Sequence, residues 1–418
     1  MKDKEILAAI LILAFVVRIA SAVITPSFDK PDEKPHFEYM QFIVENKKLP
    51  VQESQGGEFF QPPFYHVMAS FVLAFAKIFT ENADYLVFYM RLMSIIVSMF
   101  TLYFIYKISS LVFSNRHIAL GSVAFASFLP SYVNINSTVT NANFGDFLTT
   151  LVVYLLLIVL IKNESKNTIL LLGLIAGISM ITRISMIPVL LAVPLAFIAK
   201  YYPNIKSNIN KIIKPLVLIA VIALIISSWN FIRNYGLYGD FLGVNAMQLS
   251  SPPDDITVDA MFIGRLLGWT FITFWAAFGR TNGIFIGNLD SSTGLIVFSL
   301  AYLLLLAVTL VAVYGIFVFI RKYRKNEGIL NKIQKKYFLI VLFHLALLFV
   351  LFMRFNLYDF QPQGRLFFPG ISTIAILFTF GIYNVFSEKY WKKAFNAYIA
   401  FFALLSIASI ASILVHYA

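Results

Sequence analysis

The 418-residue chain predicts an all-α fold, a polytopic transmembrane helix bundle of about 11–13 spans. Three observations carry that expectation. Hydrophobic residues make up 59% of the chain and charged residues only 13%, about half the charged share of a soluble domain. The apolar residues fall into runs approaching or exceeding the roughly 20 that a membrane-crossing helix needs. The lysines and arginines lie in short clusters between those runs, so the net charge of +12 serves orientation and not nucleic-acid binding.

Taken in order, the runs at 6–24, 86–113, 117–135, 143–161, 168–184, 185–200, 212–231, 292–320, 337–355, 366–386 and 394–416 read as spans. The first follows Met1-Lys2-Asp3-Lys4-Glu5 and resembles a signal peptide. No small-residue cleavage site follows, so it is expected to remain as an uncleaved span. Runs 62–79 and 262–280 are ambiguous, and the positive-inside rule decides them. Lys107 and Arg116, Lys162 and Lys166, the 200–214 lysines, the 321–336 cluster and the 389–393 lysines should share the cytoplasmic side with Lys2 and Lys4. If both ambiguous runs crossed, the 200–214 cluster would be carried outside. If neither crosses, every basic cluster falls on one side. Both are therefore expected to be interfacial or re-entrant, giving 11 spans, a cytoplasmic N-terminus and an outer C-terminus. A 13-span alternative leaves both ends in place.

Runs 168–184 and 185–200 are almost continuous, joined at Thr182-Arg183-Ile184-Ser185. Irregular backbone at that depth is tolerated where it lines a protein-enclosed cavity. The first outer loop, 25–61, is the longest polar stretch. Within it Phe37, Met40, Ile43 and Val44 sit at helical spacing, which predicts a helix over 36–46 lying in the interface.

Several residue types point to chemistry. Asp32-Glu33 precedes that helix. A surface carboxylate there can act as general base or can cap the helix start. Gln61-Pro62-Pro63 opens run 62–79 as a Pro-marked helix start, followed by Tyr65 and His66. Arg183 is an ionisable residue inside apolar sequence, a functional candidate by default, or one that snorkels to the interface. Arg365, in Gln361-Pro-Gln363-Gly-Arg365-Leu-Phe-Phe-Pro369, lies on the outer side and suits bidentate phosphate binding. Arg233 and Arg354 are further outer-side candidates. Asn134 to Asn143 forms a polar outer turn, with Asp146 one helical turn on. The chain has no cysteine, which excludes disulfides, thiolate nucleophiles and Cys-based metal sites. It lacks P-loop, HExxH and GxSxG patterns, which argues against a nucleotide-driven pump.

In this order, the pieces resemble the GT-C membrane glycosyltransferases that use lipid-phosphate-linked sugars, in the branch of protein O-mannosyltransferases and aminoarabinose transferases. The resemblance rests on Asp32-Glu33 followed by His36-Phe37-Glu38-Tyr39 and Leu49-Pro50, on Gln61-Pro62-Pro63-Phe64-Tyr65, on Thr182-Arg183, on Trp229 to Gly243, and on Gln363 to Pro369. It implies sugar transfer from a polyprenyl-phosphate-linked donor to a protein, lipid or glycan acceptor at the outer face of the cell membrane, inverting the anomeric centre. Asp32 would be the base, with Glu33 the adjoining acid. Gln61, Tyr65, His66, Asn141, Asn143, Arg183, Arg233, Gln363 and Arg365 would bind substrate and phosphate. Gln61 replaces the family's basic residue before Pro-Pro, and Arg183 replaces its lysine. Asn141 or Asn143 replaces its second acid, which weakens the case for a metal. No cofactor is expected, with a divalent metal left open, and no nucleic-acid partner. Residues 1–240 would form the catalytic module and 241–418 a module completing the lipid-donor groove. The competing expectations are a transporter or lipid flippase for an anionic or lipid-linked substrate, and a non-catalytic envelope-assembly subunit.

Overall fold

The computed structural model describes residues 3–162, 165–276, 292–325 and 330–417. Sixteen α-helices follow one another: α1 (Asp3–Ile24), α2 (Glu33–Asn46), α3 (Phe64–Ala76), α4 (Ala83–Phe113), α5 (Arg116–Phe128), α6 (Pro130–Asn136), α7 (Asn141–Ile161), α8 (Lys166–Met180), α9 (Ile187–Tyr201), α10 (Ile209–Tyr238), α11 (Val244–Ser250), α12 (Ala260–Trp275), α13 (Ser292–Arg324), α14 (Lys332–Asn356), α15 (Ile371–Val385) and α16 (Glu388–Tyr417). Short 3₁₀ turns at Ile184–Met186 and Gly364–Gly370 lead into α9 and α15. Among the described residues, nine helical segments are long and apolar enough to cross a membrane. They become ten if the bent α5–α6 pair is one span.

The expected span 168–184 is shorter than a crossing. Helix α8 has 15 residues, about 22 Å at 1.5 Å per residue, against a hydrocarbon layer of roughly 30 Å. It packs mainly on α10, whereas α9 packs on α14 and α7, and the two short helices are joined through the turn at Arg183. Lys200 Nζ, near the end of α9, donates to the Lys162 carbonyl at the end of α7 at 2.6 Å, which brings those two ends together beside the basic residues.

The expected span 117–135 is broken. Helices α5 and α6 meet at an angle of 67° because Pro130 has no N–H to donate to the carbonyl four residues back. The carbonyls left over are met by α1. The buried guanidinium of Arg18 donates to Ser127 O at 2.9 Å and Ala126 O at 3.4 Å.

Among the described residues, neither ambiguous run forms a helix long enough to count as a membrane crossing. Helix α3 has 13 residues, about 20 Å. Beyond its end, Lys77 pairs with Glu45 of α2 at 3.7 Å, so it remains beside the first loop. In α12, Arg265 lies over the Phe360 ring at 5.4 Å, while Thr273 accepts from the Gly364 N–H at 2.8 Å. Contacts near both ends of α12 thus reach one short outer segment, and 277–280 lies outside the described residues. The chain's two ends open on opposite faces. Asp3 pairs with Arg116 at 3.2 Å, beside the basic clusters, whereas the Tyr417 hydroxyl donates to Asp29 in the first outer loop.

The two expected modules share their cores. One apolar cluster joins Ala14, Phe125 and Tyr132 to Trp275, Phe378 and Phe402. A second joins Val152, Leu172 and Phe197 to Val341 and Ile376.

Candidate functional site

The site is built from helix ends that converge on the face opposite the basic clusters. Asp32 precedes α2 with a left-handed backbone, φ 57°, a conformation Asp tolerates better than most residues. Its carboxylate makes no cap hydrogen bond, so the capping explanation for this acid does not hold. It instead pairs with Arg365 Nη1 at 2.7 Å, across most of the chain. Burial raises the Asp32 pKa, but the charges of Arg365, His36 and Arg183 more than offset it and hold the carboxyl below the usual range.

Arg365 sits in the first residues of the 3₁₀ turn, just after an irregular segment. Asp359, Gln361, Gln363 and Arg365, at every second position, form one chain of contacts. Gln361 Nε2 donates to Asp359 Oδ2 at 2.7 Å, Gln363 Nε2 to Gln361 Oε1 at 3.4 Å, and Arg365 Nε to Gln363 Oε1 at 2.5 Å. Gly364 is needed there, because a Cβ would run into the backbone of Phe274 on α12.

Arg183 lies in the turn between α8 and α9, its stem lying over Gly145 of α7, where a Cβ would meet its Cδ at 3.7 Å. That turn is docked by α3. Pro62 and Pro63 start that helix, and the Phe64 N–H donates to Ile181 O at 2.9 Å. Gln61 accepts from Asn141 Nδ2 at 3.1 Å and donates to Glu58 Oε2 at 2.7 Å. Burial and the charge of Asp32 push the Glu58 carboxyl up to about 7.

A cavity of about 550 Å³ opens beside Asp32 and Arg365, between the 28–32 loop, α6, α12 and the 360–365 segment.

Several expected residues lie elsewhere. Glu33 turns away from Asp32 into a closed, buried network. Arg91 of α4 contacts it through Nε and Nη2 at 2.8 and 2.6 Å, and it accepts the Phe28 and Val139 N–H groups at 2.9 and 3.2 Å. Arg91 also donates to Ala22 O, Thr25 O and Pro26 O. Asn143 donates to the Ser94 carbonyl on α4 and does not join Gln61. Arg233 donates to Pro50 O at 2.5 Å, pinning the outer loop to α10. Tyr65 is buried in the α2–α3–α4 cluster. His66 lies behind Asp32, its Nε2 2.9 Å from His36 Nδ1 and its ring stacked on Tyr39 at 3.9 Å. Burial lowers the His36 pKa to about 4, against the raising effect of Asp32.

The sequence reading overlooked Arg91, Lys30, Glu58 and the placement of Asp146. Lys30 is buried and donates to Ser21 and Ser137 hydroxyls at 2.9 and 2.6 Å. Asp146 is fully buried, and neither carboxylate oxygen has a hydrogen-bond partner among the described residues. Arg91 and Asp146 both interrupt apolar runs, which was the available signal. No three His, Asp or Glu side chains gather as a metal cluster among the described residues.

Residues 61–231 match the family described as dolichyl-phosphate-mannose-protein mannosyltransferase. The fold is also similar to that of solved structures that align with nearly the whole chain. The Archaeoglobus fulgidus oligosaccharyltransferase, solved with zinc and sulfate, aligns at 14% identity and TM-score 0.56, covering 97% of this chain and 53% of that one. The same protein with an inhibitory peptide and a dolichol-phosphate aligns at 12% and 0.53, covering 98% and 55%. ArnT from Cupriavidus metallidurans, bound to undecaprenyl phosphate, aligns at 12% and 0.60, covering 98% and 77%. The chain therefore spans about half the length of the oligosaccharyltransferase. No curated protein sequence matches it.

Proposed function

We propose that the protein is an inverting glycosyltransferase, moving a sugar from a polyprenyl-phosphate-linked donor to an acceptor at the outer membrane face. The observation that carries this reading is the Asp32–Arg365 pair at 2.7 Å, which sets a base beside a phosphate-binding cation at the edge of a ligand-sized cavity. The family match over 61–231 and the shared fold of an undecaprenyl-phosphate-bound ArnT support the donor class. The basic clusters at the opposite end support the outer face.

In this reaction the acceptor oxygen forms a bond to the anomeric carbon as the bond from that carbon to the phosphate oxygen breaks. Asp32 takes the acceptor's proton. Arg183 and Arg365 meet the charge that develops on the departing polyprenyl phosphate. While Arg365 grips Asp32, the carboxylate is a weakened base. A donor phosphate that draws Arg365 away raises its basicity, so donor binding prepares the base. Glu33 and Arg91 hold the loop that presents Asp32.

Asp32 is already paired with Arg365, so this reading assigns the leaving-group charge to the two arginines and not to a divalent cation, which the chelator arm below tests.

The test is incubation of the purified protein with a panel of polyprenyl-phosphate-linked sugars, with and without chelator. Release of polyprenyl phosphate with the sugar transferred, at the same rate in chelator, is the expected result. Translocation of an intact donor across vesicles without cleavage would make the protein a transporter.

A further inference from the structure

The cavity beside Asp32 contains groups that the phosphate chemistry does not use. Arg365 and Lys30 line it, but so do Trp269, Gln361 and Gln363, which carry no charge. Its size, about 550 Å³, falls in the range of small-molecule sites.

Trp269 faces the amide run because of helix periodicity. Thr273, one turn on, bonds Gly364, and residues four apart share a helix face. Trp269 lines the cavity and keeps 42% of its surface exposed, so it is not consumed by the core. The amides of Gln361 and Gln363 are oriented by the contacts running from Asp359 to Arg365. A carboxamide offers two N–H groups and two lone pairs, and the contacts within the run leave positions open on each. An aromatic face beside pre-oriented neutral amides fits a pyranose. The ring's C–H face stacks on the indole, and the equatorial hydroxyls meet donors and acceptors together. A phosphate would be met by Arg365 and Lys30 and would leave the amides and the indole unused, and a polyprenyl chain would leave the amides unpaired.

We infer that this cavity is a pyranose subsite, with Trp269 as its stacking face and Gln361 and Gln363 as hydroxyl partners. The inference rests on the glycosyltransferase reading and extends it. The pyranose is either the sugar of the lipid-linked donor or a sugar of a glycan acceptor.

The experiment follows tryptophan fluorescence of the full-length protein in detergent during titration with methyl pyranosides. Trp269→Phe identifies the responding residue. Measured by calorimetry, because these variants lack the reporter, Trp269→Ala should weaken the responding pyranoside about tenfold, the scale of one aromatic contact. Trp269→Phe should weaken it less, and Gln361→Ala should narrow the range of sugars bound. If the sugar is the donor's, Trp269→Ala weakens the sugar-loaded lipid but not bare polyprenyl phosphate. If it is the acceptor's, both lipids bind as in the parent and the KM for a glycan acceptor rises. Both results support the subsite. The inference is overturned if no pyranoside perturbs Trp269 and Trp269→Ala leaves donor affinity and acceptor KM at parent values. It is also overturned if a peptide perturbs Trp269 and no pyranoside does, which assigns the cavity to a protein acceptor. Pyranoside binding without release of polyprenyl phosphate from any donor would sustain the subsite and remove the transfer reading.

Discussion

Replacing Glu33 with Gln tests the division of labour between the two neighbouring acids. The Glu33 carboxylate is fully buried and accepts four hydrogen bonds, two from Arg91 and one each from the Phe28 and Val139 N–H groups. Gln keeps one acceptor oxygen and turns the other position into an N–H₂ facing donors. It also leaves the Arg91 guanidinium buried without its counter-charge. Breaking one side of a buried pair costs about 3–5 kcal/mol, whereas replacing both partners with apolar residues is often far milder. Glu33→Gln should therefore lower the thermal unfolding temperature in detergent markedly. The double variant Glu33→Met with Arg91→Leu should recover part of that loss. Polyprenyl phosphate release per folded molecule should stay within a few-fold of the parent. Parent-like thermal stability combined with a hundredfold loss of turnover would refute the reasoning and make Glu33 a reacting group.

Three further outcomes follow from the same geometry. Arg365→Ala and Arg183→Ala should each weaken donor binding, and Arg365→Lys should restore it only in part because a point charge lacks the planar fork. Arg365→Ala also removes a charge that lowers the Asp32 pKa, so the acid limb of the kcat/KM–pH profile should move to higher pH. An unmoved limb would detach Arg365 from Asp32. Glu58 carries a carboxyl raised from 4.5 to about 7. Its proton is held more tightly in the folded state, so stability should fall as pH rises from about 4.5 to 7. Glu58→Gln should unfold at progressively higher temperature than the parent across that window, and a pH-independent difference would oppose the assignment. Reporter fusions at Lys206 and Lys325 should read as cytoplasmic, and those at Ser54 and Asp254 as outside. A cytoplasmic signal at Asp254 would overturn the orientation.

Much of the bundle was legible because hydropathy and charge act along the chain. The basic clusters alone kept 62–79 and 262–280 from being counted as spans, and the Lys77–Glu45 and Thr273–Gly364 contacts agree. What stayed hidden depends on helix phase or on distant partners. An apolar run continues through Leu129-Pro130, so hydropathy does not register the 67° bend. Nor does it show that α8 ends at Met180. Asn141 and Asn143 are alike in sequence, but two residues of helix separate them by about 200°, so only Asn141 reaches Gln61. Asp32 and Glu33 are neighbours whose roles diverge because Arg91 claims one and Arg365 the other. Nothing in local spacing announces either partner.

The central claim is tested most directly by single-turnover sugar transfer from a lipid-linked donor with Asp32→Asn. Asn also tolerates the left-handed backbone, and the partly exposed pair with Arg365 contributes little stability, so the variant should fold and bind donor nearly as the parent does. An amide cannot take the acceptor's proton, and loss of a general base costs about 100- to 10,000-fold in rate. The account predicts a fall of that size at parent-like donor affinity, whereas transfer at the parent rate would contradict it and remove the base from this loop.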